Sequence, residues 1–477
     1  MSRDKNRAHQ AHSDHTSEDG VPLNSTVPDG TTLDVESPDG STPDHRVPEI
    51  QGSRRDFLKG SLAAAAGVAA TSLWDPTNAF AQKDEALPPG PPARIDDEAY
   101  WEKVRTQFHL NPDTIYLNNG TLGLCPKPVT QAVYDGYRYL AETGSEGRSQ
   151  LWDEVEESRK HVARFLGAGE KEIVLTRNAT QGLQFVVNGI RMEPGDEVLM
   201  TTDEHIAGTR PWALRARRYG IRVNQVQIPS PPGNKQEVVD LFEQALTPKT
   251  KVIFFCQVTR GPGLLYPVRE LCDMAREKGI ISAVDGAQAP GMTPVYLNEM
   301  GCDLFATSLH KWALTPSGTG CLYVREGFQD NFWPGSGGNG PWDDREQGLY
   351  HVGPHGTYER PVRAAIKTAL SFLESIGMDA IFARDRMLSD YLKEQLLEIP
   401  GVSLGTSRDH ALSSPGITSF GVEGWDTSLL RGILEGKAGI ILSRDQRRYH
   451  DLVRVSTHFY NTPSEIDRLL EVLREIL

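Results

Sequence analysis

A chain of 477 residues with 38% hydrophobic residues has the length for two or three domains and the apolar content for a sizeable core. Its net charge of -14 argues against a nucleic-acid-binding protein. Cys125, Cys256, Cys272, Cys302 and Cys321 are an odd number without a C-x-x-C spacing, so they do not read as a disulfide framework or a zinc site.

The first fifty residues carry a loose repeat of Pro-Asp-Gly turns, "VPDGTTLDVESPDGSTPDHRVPE", without aromatic residues. Such a stretch cannot bury enough apolar surface to offset the entropy of ordering, and residues 1–50 are expected to be disordered. Residues 51–81 have the three parts of an export signal. Arg54 and Arg55 open a charged region, Gly60 to Leu73 is apolar but too short to span a bilayer, and Ala79-Phe80-Ala81 is a small-x-small cleavage site. "SRRDFLK" resembles the twin-arginine consensus. That resemblance implies the twin-arginine export machinery as a partner, a folded and cofactor-loaded cargo, and a periplasmic or secreted destination. An amphipathic or membrane-anchor helix is the competing reading of the same letters. No later segment approaches ~20 continuous apolar residues, so no membrane span is expected in the mature chain.

From about residue 170 onward, short β-branched runs alternate with amphipathic stretches. The strands are predicted at Glu172 to Thr176, Glu197 to Thr201, Arg222 to Ile228, Lys251 to Val258, Ile281 to Asp285, Asp303 to Thr307 and Gly320 to Val324. "KQEVVDLFEQAL" and "PVRELCDMAREKG" are helices between them. This alternation predicts an α/β domain with a mostly parallel sheet, whose ligands gather beyond the carboxyl ends of the strands. "PGSGGNGPWDD", Pro334 to Asp344, lacks a strand-to-helix setting and reads as a mobile connection rather than a phosphate cradle. Beyond it come helices at "PVRAAIKTALSFLESIG" and "DRMLSDYLKEQLLEI". The strands "GITSFGV", "GIILS" and "LVRVST" follow, then a last helix opened by the capping box "TPSE". The division expected is an N-terminal segment 82–115 packing on the small domain, a large domain 116–345 and a small α+β domain 346–477.

Chemistry-bearing residues follow the strands. Asp285 ends an apolar strand, where a carboxylate is costly unless a cation meets it; a protonated pyridine nitrogen is one such cation, and a plain turn before Gly286 is the alternative. Lys311 in "TSLHKWALTPSG" comes 26 residues later (311 minus 285), after the next strand, and a desolvated lysine can form a Schiff base with an aldehyde cofactor. Ser308 and His310 flank it and could meet a phosphate, although His310 alone reads as a structural histidine. In "TRNATQG", Ala179 and Thr180 stand at a helix N-terminus suited to an anion, which ordinary capping by Asn178 also explains. His205 in "TDEHIAG" offers a planar ring that could stack on a cofactor or carry a proton.

Taken together, "VDGAQ" followed by "SLHKW" and "GTGCLYVRE" resembles the class V aminotransferase family of pyridoxal-phosphate (PLP) enzymes, from about Tyr116 to the C-terminus. The resemblance implies the fold type I architecture: a large domain with a mostly parallel seven-stranded sheet and a smaller C-terminal α+β domain. It implies that Lys311 carries the cofactor as a Schiff base, Asp285 pairs with the pyridine nitrogen, Gln288 reaches the ring hydroxyl and His205 stacks over the ring. Ala179, Thr180, Ser308 and His310 would form the phosphate cup, completed in a homodimer by Gly356 and Thr357 of the neighbouring subunit. On the substrate side Arg454, in "LVRVSTHFYNT", would take an α-carboxylate, with a surface arginine on an edge strand as the alternative. Asn119 in "YLNNGTLGLCP" would touch the substrate, although Asn-Asn-Gly is also a common turn.

One departure separates branches of that family. Cysteine desulfurases carry a nucleophilic cysteine on the loop before the arginine, and "ILSRDQRRYHDLVR" contains none. The reading preferred from the sequence is therefore isopenicillin N epimerase-like: chemistry at the α-carbon of an amino acid or amino-acid-bearing peptide, through an external aldimine and a carbanion. Lys311, with His205, would move the proton. A desulfurase or C-S lyase, an enzyme modifying a siderophore peptide as an exported relative does with pyoverdine, and a binding protein that keeps the fold without catalysis are the competing expectations. No metal site is expected, since Gly-Pro between His351 and His355 breaks the helix that would align them.

Overall fold

The computed structural model describes residues 90–335, 348–352, 356–447 and 450–477. The N-terminal extension, the export signal, most of the Gly-rich connection and His355 lie outside the described residues.

Seven short runs build the main sheet: β2 (Ile173–Thr176), β3 (Glu197–Thr201), β4 (Arg222–Val226), β5 (Thr250–Cys256), β6 (Ile281–Asp285), β7 (Leu304–Ser308) and β8 (Gly320–Val324). Their spatial order is β2-β8-β7-β6-β5-β3-β4. The pairs β4/β3, β3/β5, β5/β6 and β6/β7 are parallel, while β8 runs antiparallel to both β7 and β2. This is the mostly parallel seven-stranded sheet expected from the sequence. Because successive side chains of a strand point to opposite faces, Phe255, Val284 and Phe305 pack into one core while Phe254, Ala283, Leu304 and Ala306 pack into another. Both faces are covered, which is why these strands read as continuous apolar runs rather than alternating ones.

Ahead of the sheet lie the helices Glu98–Arg105, Lys127–Thr143 and Gly147–Phe165, with β1 (Ile115–Tyr116) between the first two. Downstream, β9 (Val402–Leu404), β10 (Ile417–Val422), β12 (Ser443–Arg447) and β13 (His450–Ser456) form a four-stranded antiparallel sheet in the order β12-β13-β10-β9. The helices Met378–Leu397, Thr427–Ala438 and Pro463–Ile476 pack on it in a third apolar cluster. Thr462 caps the last helix as its letters indicate: its Oγ1 accepts from the Glu465 N–H and its own N–H donates to the Glu465 carboxylate.

Two local outcomes differ from the sequence reading. "GIILS" is divided: β11 (Ile440–Ile441) pairs in parallel with β1, and Ser443 begins the separate strand β12. The stretch "SRDQR", taken as loop, is that edge strand of a hairpin. It carries no apolar alternation, so periodicity could not reveal it.

The segment after β1 matters for the site. Leu117 accepts from the Ser456 N–H at 2.8 Å, and the Asn119 N–H donates to the Ser456 carbonyl at 3.2 Å. These bonds carry residues 117 to 121 past the end of β13 and toward the carboxyl ends of the main sheet.

Candidate active site

The direction of the strands explains where the chemistry collects. β2, β3, β5, β6 and β7 all end at one edge of the sheet, and the residues just beyond them line one cavity of about 270 Å³. Ala179, Thr180, His205, Asp285, Gln288, Ser308, His310, Lys311 and Arg454 all line it, so nine residues singled out from the sequence are brought together. Three are not. Asn119 is fully buried, with its Nδ2 donating to the Lys311 carbonyl at 3.4 Å and its Oδ1 accepting from the Tyr460 hydroxyl at 2.9 Å; Gly120 and Thr121 line the cavity in its place. Gly356 and Thr357 are exposed and outside the cavity of their own chain.

One end of the cavity is built for an anion. Asn178 caps the helix Ala179–Gly189, its side chain accepting from the Gln181 N–H at 2.9 Å. The Ala179 N–H donates to Ser308 Oγ at 2.9 Å, which ties the start of this helix to the end of β7. His310 Nδ1 lies 2.9 Å from the Thr319 carbonyl, so the imidazole donates there and turns its other nitrogen elsewhere. Burial holds His310 below the usual imidazole range, the Thr319 carbonyl opposing the shift and Lys311 adding to it. A helix N-terminus beside a serine and a histidine suits a phosphate.

The floor is acidic. Asp285 is 4% exposed, and its Oδ1 accepts from the Ala287 N–H at 2.9 Å. Desolvation pushes its carboxyl up, opposed by that N–H and by the Lys311 cation. Glu204, which the sequence reading passed over, is buried at the end of β3. Its Oε1 accepts from the Thr201 hydroxyl and the Cys256 N–H, and its Oε2 has no hydrogen-bond partner. Desolvation, assisted by Asp285 and Asp203 and opposed by the Thr201 hydroxyl and the Cys256 N–H, pushes Glu204 up to about 8, so it holds a proton at neutral pH. The adjacent acids of "TDEH" directly after a strand were the available signal.

Lys311 faces this floor. Burial lowers its amine to about 8; Asp285 opposes the shift, and the Arg454 and Arg260 cations reinforce it. A lysine so placed has an appreciable neutral fraction near pH 7 and can act as a nucleophile toward an aldehyde. Arg454, 2% exposed, also lines the cavity, and its guanidinium donates to the Arg260 carbonyl at 3.2 Å, Asn118 Oδ1 at 3.0 Å and Thr121 Oγ1 at 2.6 Å. Gln288, which lines the cavity, donates to the Gly120 carbonyl at 2.8 Å and accepts from the Trp312 indole at 2.7 Å.

With this geometry in place, likeness to known proteins becomes interpretable. Residues 115–469 match the model of the aminotransferase class-V family. The chain belongs to the class-V aminotransferase family. Among its relatives, an isopenicillin N epimerase of Streptomyces clavuligerus is 31% identical, over 79% of this chain and 98% of that protein. A probable cysteine desulfurase of Pyrococcus abyssi is 29% identical, over 79% of this chain and 97% of that one. The apo structure of the cysteine desulfurase from Thermococcus onnurineus NA1 superposes with a TM-score of 0.71 at 27% identity, covering 81% and 99% of the two chains. A C-DES mutant solved with glycine covalently linked to its PLP cofactor shares the fold at a TM-score of 0.71 and 23% identity, covering 77% and 98%. This class-V protein is accordingly an enzyme of fold type I, and its cofactor is pyridoxal 5'-phosphate.

The cavity fits that group. Asp285 is a buried carboxyl in need of a cationic partner, and an anion cradle and a low-pKa lysine line the same cavity. Residues 53–71 match the twin-arginine translocation signal model. None of the five cysteines is joined in a disulfide, and the four in apolar or helical segments are buried, as small hydrophobes would be. No helix among the described residues is long and apolar enough to cross a membrane.

Proposed function

We propose that this class-V enzyme works outside the cytoplasm at the α-carbon of an amino acid or amino-acid-bearing peptide, moving the α-proton as an isopenicillin N epimerase would. The observation that carries the reading is that Lys311, Asp285 and Arg454 line one cavity, an amine lowered by burial together with a buried carboxyl and a buried guanidinium. Bound pyridoxal phosphate supplies an electron sink that makes the α-hydrogen of an attached amino acid acidic. Lys311 would hold the cofactor, and its amine is the group placed in the cavity to accept or return an α-proton. Arg454 receives the α-carboxylate, with Asn118 and Thr121 fixing the guanidinium plane. Asp285, whose charge is favoured by the Ala287 N–H and the Lys311 cation, would meet the ring nitrogen. His205, held at the start of the helix Ile206–Tyr219 with Nδ1 accepting from the Ala207 N–H at 3.1 Å, lines the cavity and would stack on the cofactor. Ala179, Thr180, Ser308 and His310 would hold the phosphate.

Gly356 and Thr357 sit exposed in their own chain, which suits residues offered to a second copy; the working unit in this reading is a homodimer. The twin-arginine signal supports a periplasmic or secreted location.

The relatives named as cysteine desulfurases favour a second reading, desulfuration or C-S lysis. Against it, Ile441 to Arg454 contains no cysteine, and Cys256, the thiol among the cavity residues, is 5% exposed and lies opposite Asp285 on the neighbouring strand. One experiment separates these: incubate the mature, cofactor-loaded protein in D2O with a panel of amino acids, following visible spectra and α-deuteration by NMR. Deuteration without loss of the amino group supports proton transfer at the α-carbon. Sulfide and alanine from cysteine would establish the second reading, and an unchanged spectrum with every amino acid would sink both.

A further inference from the structure

Beyond the cavity, one buried polar cluster has no part in the scheme above. Asp385, on the helix Met378–Leu397, and His458, just after β13, are both fully buried. His458 Nδ1 lies 2.9 Å and 3.1 Å from the two Asp385 oxygens, and its Nε2 lies 3.1 Å from the carbonyl of Trp312, the residue after Lys311. A carbonyl only accepts, so Nε2 carries a hydrogen. One further proton is then shared between Nδ1 and the Asp385 carboxyl. The pair is neutral overall whichever partner holds that proton. Arg384 and Arg386 are the other charged groups acting on Asp385, and the Tyr460 ring packs 5.7 Å from the imidazole.

The target of this pair is specific. Three successive carbonyls of the lysine loop each accept one hydrogen bond from elsewhere in the chain: His310 from the Gly123 N–H at 2.9 Å, Lys311 from Asn119 Nδ2 and Trp312 from His458. Approach is close enough that a Cβ on Gly123 would lie 1.9 Å from the Lys311 carbonyl oxygen. The Trp312 ring meets the imidazole edge to face at 5.3 Å and donates to Gln288. Leu314 sits at φ +52, a strained conformation for a branched side chain that persists only when its surroundings impose it. A reactive lysine on a strained loop needs an external clamp, because a misplaced amine loses its alignment with the cofactor.

We propose that Asp385 and His458 are positioning residues for the cofactor lysine: Asp385 fixes the tautomer of His458, whose Nε2–H pins the Trp312 carbonyl and with it the backbone that aims Lys311. The inference rests on Lys311 as the cofactor lysine; a Lys311→Ala protein that still formed a borohydride-reducible bond to PLP would overturn that assignment and not the clamp itself.

The test uses the full-length mature protein. Asp385→Asn keeps the shape, the neutral charge and a donor to Nδ1, whereas Asp385→Leu removes the group that selects the tautomer. Capture of added PLP by apo protein is followed by visible absorbance and by borohydride trapping, with urea unfolding measured in parallel. The clamp predicts capture at about a tenth of the wild-type rate or less for Asp385→Leu, at urea concentrations where it is folded, and near wild-type for Asp385→Asn. Wild-type capture by a folded Asp385→Leu protein would overturn it. Should that variant not fold, the decision passes to wild-type protein with nitrogen-labelled histidine. The His458 resonance, assigned by its change in Asp385→Asn, moves between apo and PLP-loaded protein if the clamp senses Lys311, and an identical resonance in both states contradicts the proposal.

Discussion

Asp285 and Asp385 are chemically the same group in nearly the same degree of burial, and the carboxyl of each is pushed up by desolvation. They differ in what answers the charge. Asp385 is met inside the chain by a histidine at hydrogen-bond distance, and the pair is a closed structural unit. Asp285 faces a cavity in which Lys311 is the responding cation, and Lys311 itself is held at about 8 by burial and two arginines. The comparison teaches that a buried carboxylate is a functional signal when its counter-charge is incomplete within the fold, and a structural one when it is complete.

Substitutions can break or sharpen this contrast. The largest effect belongs to Lys311→Ala, which should abolish the borohydride-reducible cofactor bond and lower turnover by at least about 10³-fold, read by spectrum and product assay. Asp285→Asn comes next: activity should fall by about 10²-fold or more while the urea midpoint holds or rises, because a costly buried charge is removed. Asp385→Leu should show the opposite balance in the same urea experiment, a loss of about 3–5 kcal/mol from breaking a buried pair. If Asp285→Asn were the more destabilising of the two, the contrast between open and closed carboxyls would be wrong. Arg454→Gln should raise KM for amino acids by about tenfold or more with PLP affinity retained, since it removes a charge-assisted fork on the substrate side.

The smallest effect concerns pH. Capture of PLP requires the neutral amine, so its rate should rise with pH and level off above about 8. Because the Arg454 cation helps lower Lys311, Arg454→Gln should move that levelling to higher pH. A midpoint already near the ordinary lysine value in the wild-type protein would show that the amine is not desolvated as described.

Much of the cavity was legible in the letters, because β-branched runs mark strand ends and eight of the nine predicted residues that line it stand at or shortly after the end of a main-sheet strand, Arg454 within β13 being the other. Where the reading failed, the reasons are physical. Asp385 and His458 are 73 positions apart, one on a helix and one after a strand, and neither lies in a local pattern that separates a buried pair from two solvated residues. The β12 edge strand is polar throughout its described letters, so no period distinguished it from a loop. Asn119 was chosen from a turn-like triplet, yet a turn motif says nothing about which of its neighbours the chain will aim into the cavity. Asn118 and Thr121, one step to either side of Asn119-Gly120, are the residues that orient Arg454.

The central claim is that Lys311 is the residue joined to the cofactor. Reducing the PLP-loaded mature protein with borohydride and mapping the modified peptide by mass spectrometry tests it directly. A phosphopyridoxyl group is expected on Lys311 within the peptide containing "TSLHK"; a modification on any other lysine, or none in protein that visibly binds PLP, would rule Lys311 out as the cofactor lysine.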